Sequence, residues 1–266
     1  MSLFRCCVLC FVIVLNKRQA EEKLSSTTPL WCRNGGTLNG DKCDCPVQYS
    51  GRACHRLIRD CSEPFENGYR TDMDGAYYIQ PDTNENAFLV NCKFEYDGVT
   101  YALVQTYPIT AQHDWNEYKQ GFGDDPMNSS PYFIGLDNLH RLTRQSSYEL
   151  NIWLDYEGEA TIGGVLYYNF TIGPEETMYE IAFDALFEKY DVDDWFEGSS
   201  SVQFVAPGQD VNNCSSQMGK AGWLGSNCTG YGVFSTGDFY WPVNGELKKV
   251  TDLSFMLVRL SSFYEV

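Results

Sequence analysis

The sequence predicts an α+β protein: antiparallel sheets with short helices, preceded by a small disulfide-rich module. Three observations predict it. Eight cysteines remain once an apolar N-terminal leader is set aside, and four of them crowd into residues 32–54. An aromatic content of 15% suits a loop-rich, β-containing fold better than a helical bundle. Short β-rich runs are interleaved with apolar residues at three-residue spacing, which is the pattern of strands and short helices rather than of long ones.

The leader comes first. Arg5 precedes the apolar run Cys6–Leu15, which has the length of a signal-peptide core and is too short for a membrane span of about 20 residues. Residues 1–20 are therefore expected to be a signal peptide, with residues 21–31 a short linker and the mature protein secreted. Lys17 and Arg18 follow the run and resist translocation, so an uncleaved signal anchor is the alternative. Removing residues 1–20 leaves 16 basic residues against 36 acidic ones, a net of −20. A surface that acidic repels nucleic acid and anionic membrane, which excludes both as expected direct partners.

The cysteines carry the next step. Setting aside Cys6, Cys7 and Cys10 leaves Cys32, Cys43, Cys45, Cys54, Cys61, Cys92, Cys214 and Cys228. An even number in an oxidising compartment argues for four bridges. Zinc is the rival reading, and three histidines (His55, His113, His140) are few for it. Residues 32–54 contain Asn34-Gly-Gly-Thr37, Cys43-Asp-Cys45 and a glycine, Gly51, three residues before Cys54. This stretch resembles the second to sixth cysteines of an EGF-like domain. Leu38 stands where the family has its third cysteine, so both halves of one bridge are missing together. The resemblance implies Cys32–Cys43 and Cys45–Cys54. A module of about 25 residues cannot build a core and must be held by such staples.

Residues 60–262 are similar to a fibrinogen C-terminal domain. The segments that carry the likeness are Arg59-Asp-Cys61, Ala76-Tyr-Tyr-Ile-Gln-Pro81, Phe88-Leu-Val-Asn-Cys92, Trp115–Gly123, Tyr132–Thr143, Cys214, Gly222-Trp223 and Asn227-Cys228, in that order. The family implies Cys61–Cys92 and Cys214–Cys228. Phe88–Phe94 and Tyr101–Thr106 flank Asp97-Gly98 and read as a hairpin, with Tyr101 filling a core position that a tryptophan holds in the family. Trp115, Tyr118 and Phe122 form one apolar face, and Leu136, Leu139 and Leu142 that of a short helix. His140 within that helix reads as a packed, hydrogen-bonded residue. Val250, Leu253, Phe255 and Leu257 mark a final buried strand.

Departures from the family bear on function. Its calcium site uses two carboxylates with backbone carbonyls; aligned on Phe204, the first carboxylate position is Gly208 and the second is Asp210, followed by Asn212. One carboxylate and one amide make a weak ligand set, so Asp210 and Asn212 are expected to form a degenerate calcium site and no other cofactor is expected. Asp191-Val-Asp-Asp194 is an alternative acidic loop for calcium, but it reads better as a solvated charge run. In ficolins and tachylectin-like lectins an acetyl-binding pocket lies beside the second bridge and uses a histidine just after its second cysteine. Here Thr229 stands in that place, with Trp223, Tyr231, Tyr240 and Trp241 nearby as candidate ligand contacts. Among the Asn-x-Ser/Thr sequons, Asn128 and Asn169 are expected to carry glycans, whereas Asn213 and Asn227 adjoin bridge cysteines.

The resemblance implies a secreted recognition protein binding carbohydrate or acetylated surface ligands, in innate defence. The alternative is a matrix or signalling ligand of a cell-surface glycoprotein, as in tenascins and angiopoietins. A hydrolase is excluded, because neither Gly-x-Ser-x-Gly nor His-Glu-x-x-His occurs. No collagen-like repeat or long heptad stretch provides a multimerising stalk, so a weak sugar site would lack avidity.

Overall fold

The computed structural model describes residues 29–66, 73–94, 100–106, 112–123, 126, 132–158, 163–184, 186–194, 196, 201–209, 215, 220–223, 234–235 and 238–259. The expected leader, the Asp97-Gly98 turn and the side chain of Tyr101 lie outside them. The chain divides into two units, Met1–Arg56 and Leu57–Val266.

In the first unit β1 (Thr37–Asn39) and β2 (Lys42–Asp44) form an antiparallel hairpin with Leu38 opposite Cys43. Bridges join Cys32 to Cys43 and Cys45 to Cys54. Of the module's described residues up to Arg56, Cys43, Ser50 and Cys54 are buried, so the covalent staples stand in for a core. The Asn-Gly-Gly-Thr motif has a steric cause: a Cβ on Gly36 would lie 2.5 Å from Sγ of Cys54. β3 (Tyr49–Ser50) and β4 (Arg56–Leu57) make a further two-residue ladder.

The second unit opens on Cys61, bridged to Cys92, and α1 (Ser62–Glu66). The buried carboxylate of Asp60 accepts from the Ser62 amide at 2.8 Å and from the Tyr148 hydroxyl at 2.9 Å. Those bonds tie the start of the domain to its main sheet. That sheet is antiparallel. Its strands are β5 (Gly75–Ile79), β6 (Phe88–Phe94), β7 (Thr100–Thr106), β8 (Glu149–Tyr156), β9 (Gly163–Tyr167), β12 (Leu186–Tyr190), β16 (Phe239–Val243) and β17 (Glu246–Arg259). The order runs β12-β9-β8-β17-β7-β6-β5, and β16 also pairs with β17. The small β10 (Thr171–Ile172) and β11 (Ile181–Ala182) pair with each other.

β6 and β7 are the hairpin expected from residues 88–106, in register Asn91↔Leu103. β17 is the expected last strand, and it lies at the centre of the sheet. On one face its buried residues change parity, from Val250 to Leu253, Phe255 and Leu257, while Val258 is buried on the other, opposite Glu149. The β8 ladder shifts between Val250 and Asp252, and the extra residue turns both sets toward the same core. On β8 the even positions Leu150, Ile152, Leu154 and Tyr156 are buried; the odd positions Glu149 and Asn151 are buried too, on the other face.

Two short helices complete the frame. α2 (Trp115–Gln120) begins with a reciprocal cap between Asp114 and Glu117 and buries Tyr118. α3 (Leu136–Thr143) buries Leu136, Leu139 and Leu142, the face that the three-residue spacing predicts. His140 faces the Ile172 carbonyl through Nδ1 at 2.6 Å, so this nitrogen carries the proton and fastens α3 to β10.

Candidate functional site

The segment in which the sequence places a ligand pocket is built on three short strands. β13 (Phe204–Val205), β14 (Lys220–Trp223) and β15 (Phe234–Ser235) pair antiparallel, with Phe204 opposite Trp223 and Ala221 opposite Phe234. The connections between them, residues 206–219 and 224–233, contain Asp210, Asn212, Cys214, Cys228, Thr229 and Tyr231. Asp210, Asn212, Thr229, Tyr231 and the Cys214–Cys228 bridge lie outside the described residues, as does Asn128.

What holds these strands is an aromatic floor. Phe204 has no exposed surface and meets Trp223 edge-on with ring centroids 5.1 Å apart, and Tyr118 at 5.4 Å. Trp115 lies 5.7 Å from Tyr179. The floor fixes a strained backbone. Met178 and Tyr179 both adopt the left-handed region, at φ of 57° and 48°, which costs on the order of 1–3 kcal/mol per non-glycine residue. Three bonds impose it: the Phe204 amide donates to the Met178 carbonyl at 2.8 Å, the Trp223 indole to the Tyr179 carbonyl at 2.8 Å, and the Tyr179 hydroxyl to Asp137. Burial, the Asp137 bond and nearby acids push the Tyr179 phenol well above its ordinary value, and burial pushes Tyr132 up to about 12. At the rim, Glu175 accepts from Lys119 and from the Trp115 indole, which hold its carboxyl below the usual range.

Two of the expected ligand contacts are thereby corrected. Trp223 is 4% exposed and Trp241 has no exposed surface; the Trp241 indole donates to the Asp193 carbonyl at 3.0 Å. Both rings are core: each is almost wholly buried, and each indole N–H donates to a backbone carbonyl. Tyr240 differs, at 40% exposed. It lies on the outer face of the β16–β17 hairpin opposite Lys249, whose ammonium is held above its ordinary pKa by a hydrogen bond to Asp238. The structure thus sets Trp223 and Tyr240 in different sheets.

The acidic loop at Asp191 is corrected in part. Asp193 accepts from the Gly245 amide at 2.8 Å, and Asp194 from the Tyr167 hydroxyl at 2.5 Å. Asp191 is exposed, as a solvated run requires, whereas half-buried Asp193 and Asp194 each brace a neighbouring segment. Among the described residues no group of three or more His, Cys, Asp or Glu converges as a metal would require. At the first carboxylate position of the family's calcium site, Gly208 contributes no oxygen from a side chain and sits in a tight turn closed by the Gln209 amide on the Ala206 carbonyl at 3.0 Å. The fit to calcium there is poor. Asn169 is exposed in the turn after β9.

Sequence reasoning missed the hairpin that presents Tyr240. Its signal was present: Asn244-Gly245 between Phe239–Val243 and Glu246–Val250, with both turn residues at positive φ, is the strongest short-range hairpin cue.

The family model described as fibrinogen beta and gamma chains, C-terminal globular domain, matches residues 57–260. Bovine fibrinogen-like protein 1 is 29% identical over 189 residues, covering 65% of this chain and 59% of its own length. Mouse angiopoietin-4 is 27% identical over 222 residues, covering 78% of this chain and 40% of its own. This chain therefore spans well under two thirds of both. The fibrinogen-like globe domain of human ANGPTL6 superposes with a TM-score of 0.61 at 19% identity, over 78% of this chain and 97% of that one. Among the described residues no helix is long and apolar enough to cross a membrane.

Proposed function

We propose that this protein, which belongs to the family of the C-terminal globular domain of fibrinogen beta and gamma, is a secreted, non-enzymatic ligand of a cell-surface protein. Contact is made by the β13–β15 surface and the two loops it carries. One observation supports a protein partner over an acetylated sugar. The two tryptophans that would wall a sugar pocket are core fasteners whose indole N–H groups are committed to backbone carbonyls. A sugar-stacking wall needs an open ring face, and Trp241 has none. Similarity to an angiopoietin and to fibrinogen-like protein 1 points the same way.

What remains at that surface suits protein recognition. The loops are rich in small and polar residues with Tyr231 among them, and the strands that bear them stand on a floor made rigid by the clamped Met178–Tyr179 backbone. Tyrosine on a preorganised base is a recurrent interface anchor. The test is binding of the fluorescently labelled, secreted protein to intact cells by flow cytometry. Light protease treatment of the cells should remove binding, and enzymatic removal of their N-glycans should leave it. Binding that resists protease and disappears with the glycans would restore the lectin reading.

A further inference from the structure

An asparagine followed by glycine is open to attack on its side chain by the next backbone amide, because glycine puts no Cβ in the way and lets the chain swing round. Asn34-Gly35 and Asn39-Gly40 are such pairs in the first unit, and Asn244-Gly245 is one in the second. A fourth pair, Asn67-Gly68, lies outside the described residues. Asn34, Asn39 and Asn244 are all exposed, so access to water does not distinguish them. Their hydrogen bonds do.

Two of the three are held. Asn34 stands in the left-handed region at φ of 50°, and its carboxamide donates to the Cys54 carbonyl at 2.7 Å. Cys54 is wholly buried and bridged to Cys45, so that acceptor is fixed. At Asn244 the attacking group is held instead. The Gly245 amide donates to Asp193 at 2.8 Å, in a turn whose two residues both have positive φ.

Asn39 is free in both respects. It is the last, extended residue of β1 and leads into the two-residue turn Gly40-Asp41. The Gly40 amide has no hydrogen-bond partner among the described residues. A Cβ on Gly40 would meet nothing within 4 Å, so the turn has room to move. The Asn39 carboxamide makes a single bond, to Asp44 at 2.8 Å, between two exposed side chains where water competes for it. Arg52 reaches this turn at the Asp41 carbonyl, 3.3 Å away, and leaves the Gly40 nitrogen clear.

We propose that Asn39 is a deamidation site, a covalent mark that the first unit acquires with age. The Gly40 nitrogen attacks Cγ of Asn39. A new C–N bond forms, the bond from Cγ to Nδ2 breaks, and Nδ2 leaves as ammonia with the proton given up by the Gly40 nitrogen. The cyclic imide then takes up one molecule of solvent water, which opens it at either carbonyl to aspartate or isoaspartate. Both products put a carboxylate where a donor to Asp44 stood, next to Asp41. Isoaspartate also lengthens the main chain by a methylene at the last of the three β1–β2 pairs. The Cys32–Cys43 and Cys45–Cys54 bridges keep the module together through that change. The mark does not depend on the partner contact.

The test is peptide mapping by mass spectrometry of the folded, secreted protein after incubation at mildly alkaline pH. Conversion is read as the mass gain from amide to acid, and isoaspartate by labelling with an isoaspartyl methyltransferase. Asn39 should convert at least about fivefold faster than Asn34 and Asn244, the factor that one hydrogen bond on the carboxamide or on the attacking amide supplies. In protein that is reduced, alkylated and held in guanidinium chloride the three rates should converge, since those bonds are gone. Asn39→Gln should abolish the signal from the β1–β2 turn and leave the other two rates unchanged. No conversion at Asn39, equal conversion of the three in the folded protein, or a preference for Asn39 that survives denaturation would each overturn the assignment.

Discussion

Trp223 and Glu149 are buried polar-bearing side chains whose roles differ in kind. Trp223 satisfies the carbonyl of a strained Tyr179, so Trp223→Phe keeps most of the packing but leaves that carbonyl buried without a donor. The expected loss is about 1–3 kcal/mol in a denaturant melt, with the secreted fraction falling accordingly. Glu149 is buried on the second face of the main sheet, and desolvation raises its pKa. Because the folded value exceeds the unfolded one, the native state holds the proton longer; stability is highest below the unfolded pKa and falls as pH rises through the folded one. Glu149→Gln should therefore melt above the parent at pH 7 and match it below about pH 4, where the parent's carboxyl is already neutral. Equal melting temperatures at pH 7 would show that Glu149 is charged at no cost in the fold. Neither role was legible in the sequence. A tryptophan reads alike as ligand wall or core until its N–H has a named acceptor, and an acid in a strand reads as solvent-facing until the opposite face proves to be covered.

The elements were more legible than the side chains. Leu136, Leu139 and Leu142 predict α3, and the runs on either side of Asp97-Gly98 predict β6 and β7, because periodicity and turn chemistry are local properties. The central place of β17 was not, since strand order depends on contacts distant in sequence. Its bulge also hides the alternation that would have shown which face is buried. The β16–β17 hairpin offers a clean test of local reasoning. Gly245 has φ of +79°, and a Cβ there would meet nothing within 4 Å. Gly245→Ala should cost about 1 kcal/mol through backbone strain alone. A neutral substitution would mean that the turn relaxes to another type. The Cys61–Cys92 bridge closes a separation of 31 residues, and replacing both cysteines by alanine should cost about 2–5 kcal/mol. Asn169, exposed in its turn, should carry a glycan, seen as a mobility shift on glycosidase treatment that Asn169→Gln reduces.

At the scale of the molecule, the acidic balance and the family likeness were readable from residue types and spacing, and the likeness in turn implied the Cys32–Cys43, Cys45–Cys54 and Cys61–Cys92 bridges that the structure shows. The surroundings of the candidate contacts were not: Trp223 and Tyr240 fall in different sheets, and Gly208 and Thr229 stand where the family has polar ligands. With the calcium carboxylate missing, the melting temperature should move little between EDTA and millimolar calcium; a bound ion at ten times its Kd would add about 1.4 kcal/mol. We propose a division of labour: Trp223 fastens the floor, and the loops borne by β13–β15 make the partner contact. Cell binding per folded molecule tests it most directly. Tyr231→Ala should lower cell-surface affinity at least about tenfold, worth roughly 1.4 kcal/mol, with the melting temperature unchanged, while Trp223→Phe should lower the melting temperature and leave the affinity of its folded fraction intact. Full affinity in Tyr231→Ala, or lost affinity in a fully folded Trp223→Phe, would contradict it.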